Sequence, residues 1–118
     1  NNILAGYIIT TEINRKEGKI VFIADILADN KVNGVVDRLL NAVIQESINK
    51  GATMISSMVM PNSVYKSAFR KKLFIKLPRI LMPQEIHFGA YSLDNGLSKE
   101  FLYDADIWHI SWGDTDLL

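Results

Sequence analysis

Residues 20–27, Ile-Val-Phe-Ile-Ala-Asp-Ile-Leu, are apolar at almost every position. A strand with one wet face alternates apolar and polar side chains, whereas a continuous apolar run requires cover on both faces, so this segment predicts a central strand. The next segment has a different period. Val36, Leu39, Leu40, Val43 and Ile44 recur at steps of three and four, with Asp37, Arg38, Asn41, Gln45 and Glu46 between them, which predicts an amphipathic helix over 35–50 stopped by Gly51. Met54–Met60 then reads as a short apolar strand. Strand, helix and strand in this order make a βαβ unit, whose strands are expected to lie parallel with a right-handed crossover.

Upstream, Ala5–Ile13 is rich in β-branched and aromatic residues, Asn14–Gly18 interrupts the pattern, and Lys19–Leu27 resumes it. This predicts a β-hairpin with a five-residue loop. Downstream, Pro61 and Asn62 end the second parallel strand, and Ser63–Leu73 is expected to form a helix with Asn62 as its N-cap. Pro78 and Pro83 bracket a loop. Alternation in Glu85–Ser92 (Ile86, Phe88, Ala90) and in Ile107–Gly113 (Trp108, Ile110, Trp112) predicts two further strands around a polar, loop-like 92–101. The expected fold class is α/β with a mixed sheet: a β-hairpin leading into β-α-β-α-β-β, a single domain or fragment over residues 1–118 with no internal repeat.

With 118 residues, 48% of them hydrophobic, the chain can build one core. Thirteen basic and thirteen acidic side chains cancel, so net charge does not call for a nucleic acid or a membrane surface as partner. Cysteine is absent, which removes disulfide frameworks and thiolate metal sites. No apolar run approaches the roughly 20 residues of a membrane span, and the chain is expected to be soluble and cytoplasmic. It opens on Asn1 and enters a strand pattern almost at once, as a piece of a longer chain would.

The sequence holds no Gly-x-x-x-x-Gly-Lys-Ser/Thr loop, no Gly-x-Ser-x-Gly elbow and no His-Glu-x-x-His helix. His87 and His109 fall in separate predicted strands, where hydrogen-bonded or exposed structural roles are expected rather than catalysis or metal ligation. Asp104, Asp106, Asp114 and Asp116 lack the turn glycine and closing glutamate of a calcium loop, so they read as solvated carboxylates and no metal is expected. Lys66, Arg70, Lys71, Lys72, Lys76 and Arg79 meet no acidic residue between Asn62 and Gln84. A solvated helix face is the expected role of that basic run, with nucleic-acid binding as a disfavoured third reading. The most suggestive stretch is Lys31–Leu40, because a helix that starts just past a central strand presents unpaired amides and a positive dipole end to an anion.

The element order, taken with these residues, resembles the C-terminal part of the GNAT superfamily of N-acetyltransferases. In that family Gln/Arg-x-x-Gly-x-Gly/Ala opens the helix that holds the acetyl-CoA pyrophosphate. Lys31-Val32-Asn33-Gly34-Val35-Val36 falls on the pattern, with Lys31 for the Gln/Arg and Val36 for the second small residue. A second family pattern, Asn, then Tyr seven residues on, then Gly-Phe, meets Asn62, Phe69, Leu73 and Phe74 here, so the tyrosine and the glycine are replaced. The close Trp108-His-Ile-Ser-Trp-Gly-Asp-Thr-Asp116 resembles the Trp-x-x-x-x-Gly-Asp-Ser/Thr-Asp ending of a group of GNAT-like proteins. The resemblance implies that the family's N-terminal part is missing and that acetyl-CoA or another acyl-CoA is the co-substrate. Its pantetheine arm would lie along Ala24 and Ile26, its pyrophosphate on Lys31, Asn33, Gly34, Val35 and Val36, with Asn62 nearby. The acyl group would pass directly to an amine, an acceptor whose identity these residues do not name, and no catalytic side chain is assigned. Periodicity expects the Val36 side chain in the core. The alternative is a non-catalytic binding or dimerisation module that keeps the fold, with an open sheet edge inviting a second copy.

Overall fold

The computed structural model describes residues 2–81, 89, 90, 93 and 96–115. Strands β1 (Gly6–Arg15) and β2 (Gly18–Ala28) form the hairpin, helix α1 (Val35–Asn49) comes next, and β3 (Ala52–Ser57) completes a sheet of order β1-β2-β3. The chain continues into a short helix α2 (Lys66–Lys71), a 3-10 turn at Arg79–Leu81, helix α3 (Lys99–Leu102), and 3-10 turns at Ala105–Ile107 and Trp112–Asp114. β2 is central, antiparallel to β1 and parallel to β3, with α1 crossing between the parallel pair. The apolar run of residues 20–27 thus occupies the place its composition requires.

The core explains why these elements stay together. Val21, Ile23 and Ile26 of β2, Leu40 and Val43 of α1, Tyr65 and Phe69 form one buried cluster, with Ile8, Ala28, Val36 and Ile55 packed against it. Val36 therefore turns inward, in phase with Leu40 and Val43. Gly51, at φ 69°, ends α1 in the left-handed conformation that glycine adopts without steric cost. The exposed end of the hairpin is tied to α1 by Lys50, which pairs with both Glu12 and Glu46. Those two carboxylates push the Lys50 pKa up, and the Lys50 ammonium holds Glu12 below its ordinary value.

Five expectations are corrected. The hairpin loop spans two residues rather than five, because Asn14 pairs with Lys19 and Arg15 with Gly18, leaving Lys16 and Glu17 to turn. Polar side chains are tolerated there because ladder bonds depend on the backbone and Gly18, at φ 131°, supplies the reversal. The second parallel strand begins at Ala52 and ends at Ser57, not at Met60. Helix α2 is six residues long and Asn62 is not its N-cap: the Asn62 side-chain amide instead donates to the Asp106 carboxylate, while Ser63 Oγ accepts from the Tyr65 amide at 3.1 Å. Ile107–Gly113 forms no strand. Ser111 and Asp114 make a reciprocal capping box that curls Trp112–Asp114 into a 3-10 turn, a local bonding pattern that overrides alternation. Within the expected 92–101 loop, Ser98 Oγ accepts from the Phe101 amide at 3.1 Å and starts α3. The strand expected over Glu85–Ser92, with His87, falls almost wholly outside the described residues, and so does Asp116.

A β-bulge in β2 was not foreshadowed by the sequence. Ile9 pairs with Asp25 but Thr10 pairs with Ile23, so Ala24 is skipped. Because side chains alternate, the extra residue reverses the parity of the strand: the buried positions run Val21, Ile23, then Ile26. The same place ends the parallel ladder, whose last pair is Ile23 with Ser57, while β2 continues to Ala28.

Candidate functional site

The turn between β2 and α1 lies beyond the free end of that central strand. Asp29 organises its first half: the Asp29 carboxylate accepts from the Lys31 amide at 2.9 Å and the Asp29 carbonyl from the Val32 amide at 3.1 Å. Gly34 then takes φ 76°, ψ 6° at the N-cap position, with no side-chain cap for the helix. A Cβ built there meets nothing within 4 Å. Hence the glycine is required by its left-handed φ and not by crowding. With no side chain capping α1, its first-turn amides remain available to an external acceptor. Val35 is buried at the start of the helix, against Gly6 of β1, where an added Cβ would come within 2.8 Å of Val35 Cγ1.

Lys31, Asn33 and Gly34 are exposed on one turn, with Val35 and Val36 anchoring it from below. The charge around the turn is mixed. Arg38 Nη2 donates to the Asn33 carbonyl at 3.4 Å, and Asp37 in the first turn of α1 is paired with Lys72 at 2.8 Å. Lys31, Arg38 and Lys72 thus stand against Asp29 and Asp37, so the turn offers an anion its amides and a modest excess of positive charge. Ala24 and Ile26 lie on β2 itself: Ala24 in the bulge, Ile26 in the core with its amide donating to its neighbour's Asp25 Oδ1 at 2.9 Å. Asn62 belongs to the β3–α2 connection and is engaged with Asp106.

A polar cluster that sequence reasoning did not single out sits where β2 and β3 part. Tyr7 Oη donates to Asp25 Oδ2 at 2.8 Å, His109 Nε2 lies 3.3 Å from Asp25 Oδ1, and Tyr65 Oη accepts from the Ala28 amide at 3.0 Å. The Tyr65 and His109 rings meet edge to face, centroids 6.1 Å apart. Partial burial pulls Asp25 toward its neutral form, but the bonds from Tyr7, His109 and the Ile26 amide outweigh it and hold the carboxyl below its ordinary value. The bond to Asp25 in turn raises the Tyr7 pKa. One signal could have found this cluster: Asp25 is the only charged residue in an otherwise apolar run.

The other candidates are accounted for locally. The Asp104 carboxylate accepts from the Asp106 amide at 3.0 Å, and Asp114 accepts from the Ser111 amide at 2.8 Å. Among the described residues no group of His, Asp and Glu is arranged to hold a metal ion. In the basic run, Lys72 is paired with Asp37 and Lys66 Nζ donates to the Pro61 carbonyl at 3.2 Å. No helix among the described residues is long and apolar enough to cross a membrane.

The fold is acetyltransferase-like. Among solved structures it matches the crystal structure of an aminoglycoside acetyltransferase from an uncultured soil metagenomic sample, in complex with trehalose, with a TM-score of 0.52 and 18% sequence identity over 76% of this chain. The match covers 59% of that enzyme's chain. No protein-family model and no curated protein matches the sequence.

Proposed function

We propose that the chain is the cofactor-binding part of a GNAT-like acyltransferase domain, taking acetyl-CoA or another acyl-CoA and passing the acyl group to an amine. The observation that carries this reading is the separation of two parallel strands beyond Ile23 and Ser57, next to an uncapped helix N-terminus at Gly34. An extended arm can add to free strand backbone while its diphosphate end reaches the turn. In this reading the amides from Asn33 to Val36 receive the pyrophosphate, and Lys31 and Arg38 add charge. Backbone of Ala24 and Ile26 takes the arm once the Ile26 amide exchanges its bond to Asp25. The chemistry is direct: the amine nitrogen attacks the thioester carbonyl, the carbon–sulfur bond breaks, the amine's proton is lost and the thiolate leaves. Such a reaction depends on positioning more than on a nucleophilic side chain.

Calorimetry with acetyl-CoA on the full-length protein tests the assignment. Gly34→Asp is suited to it because aspartate is among the residues that tolerate left-handed φ and the position is open, so the fold survives while a carboxylate enters the phosphate position. Binding that Gly34→Asp weakens supports the reading, with Lys31→Ala weakening it less. No affinity at all, or affinity indifferent to Gly34→Asp, removes it.

A second reading, a non-catalytic binding or dimerisation module, is favoured by Phe69. At the position of the family's tyrosine, it is only 4% exposed and its ring packs against Phe74 inside the core, where it could not present a hydroxyl to a substrate.

A further inference from the structure

Beyond Ile23 and Ser57 the parallel strands share no ladder, and Ala24 is skipped in the register with β1 as well, so no residue stands opposite it on either side. That free backbone is covered. Gly113 lies so close that a Cβ there would come within 3.0 Å of the Ala24 carbonyl oxygen. Trp112 stands edge-on to Phe22, centroids 5.7 Å apart and planes at 89°. Ser111 is buried, and its amide and hydroxyl both bond the Asp114 carboxylate, at 2.8 and 3.1 Å, so the covering segment is a preformed turn. Immediately before it, His109 reaches Asp25.

One atom fits poorly. Trp112 Nε1 is buried without an acceptor among the described residues, and an orphan donor of this kind weakens the packing that holds it. The closed position is packed, and lifting the segment would expose that donor to water.

We propose that the segment from His109 to Thr115 is a reversible cover over the free backbone of β2, which must lift before an acyl-CoA arm can pair with Ala24 and Ile26. The proposal rests on the cofactor reading above. It gives the Trp-Gly-Asp close of the chain a role, because the segment competes with the ligand for one stretch of backbone and the apparent affinity falls by the fraction of molecules that are closed.

Calorimetry with acetyl-CoA on the full chain tests it. Trp112→Ala removes the contact with Phe22, and Gly113→Val places a branched side chain where the Ala24 carbonyl leaves no room. Each is expected to bind acetyl-CoA at least about fivefold more tightly than the unsubstituted chain, as the open fraction rises. A second measurement makes no substitution within the cover itself. Trp108→Phe makes Trp112 the sole tryptophan of the two, and saturating acetyl-CoA should shift its emission to the red as the ring leaves Phe22. Equal or weaker binding by both cover variants, or unshifted emission at saturation, overturns the cover and leaves the cofactor reading standing. Absence of binding in every protein overturns both.

Discussion

Asp25 places a carboxylate inside the strand that otherwise carries the core, and its neighbours make its charge a term in stability. Tyr7 reaches it because Tyr7 pairs with Leu27 and so stands diagonally across from Asp25, while the bulge at Ala24 turns the side chain toward His109. The folded chain holds this carboxyl below 3.8, its ordinary value, which the unfolded chain keeps. A depressed pKa contributes stability that is fully present above the unfolded value and is lost as pH falls through the folded one. Urea denaturation of Asp25→Asn is accordingly expected to show a flatter acid limb than the parent as pH falls through and below 3.8, and superimposable limbs would refute the role given to Asp25. The anomaly of a charged residue in residues 20–27 is visible in the sequence. Its partners are not, since Tyr7 is brought by strand register and His109 by a tail whose course depends on tertiary packing. Gly34 was legible as a special turn residue, but its cause is the left-handed φ, which any ligand-free helix entry could require.

The C-terminal end of α2 shows what a single left-handed residue costs an element. The Phe74 amide donates to the Phe69 carbonyl at 3.1 Å and the Leu73 amide to the Arg70 carbonyl at 3.0 Å, the paired bonds of a Schellman cap, and the Phe69 and Phe74 rings make its hydrophobic contact at 5.0 Å. The residue that must go left-handed in such a cap is Leu73, at φ 64°, with its side chain 85% exposed. A leucine there is costly, because its Cβ crowds the following carbonyl oxygen. Leu73→Gly relieves the strain and removes exposed apolar surface, and it should raise stability by about 1 kcal/mol in chemical denaturation. A neutral or destabilising result would mean that the leucine makes a contact the cap geometry does not reveal. At this scale the sequence was most legible where one period ran long enough to dominate, as in β2 and α1. It misled where a short local bond outweighed the pattern: Ser111 with Asp114 turned an alternating segment into a 3-10 turn, and Asn62 was drawn from its helix to Asp106.

The whole molecule measures 51 × 44 × 22 Å, with a radius of gyration of 16.2 Å against about 13.5 Å for a compact domain of this length. The short dimension has a cause in the sheet. Ile8, Ile26 and Ala28 pack against the core, so Ile9 and Leu27, one residue away along the same strands, point to the far face, where they remain 53% and 50% exposed. On that face Trp112 covers Phe22 and His109 meets Asp25, but the outer part of the hairpin has no such cover among the described residues. The expectation that β2 is buried on both faces is thus met only in part within one chain. If the dimerisation reading is right, a second copy supplies the rest, since apolar surface of this kind gains about 25 cal/mol for each Å² removed from water. Light scattering across a wide concentration range should then show the mass rising from one chain toward two. Ile9→Lys, at a half-exposed position that the monomer core does not use, should hold the protein monomeric without lowering its unfolding midpoint. A single-chain mass at every concentration would exclude self-association, and a variant that still dimerises would move the interface to another edge of the sheet.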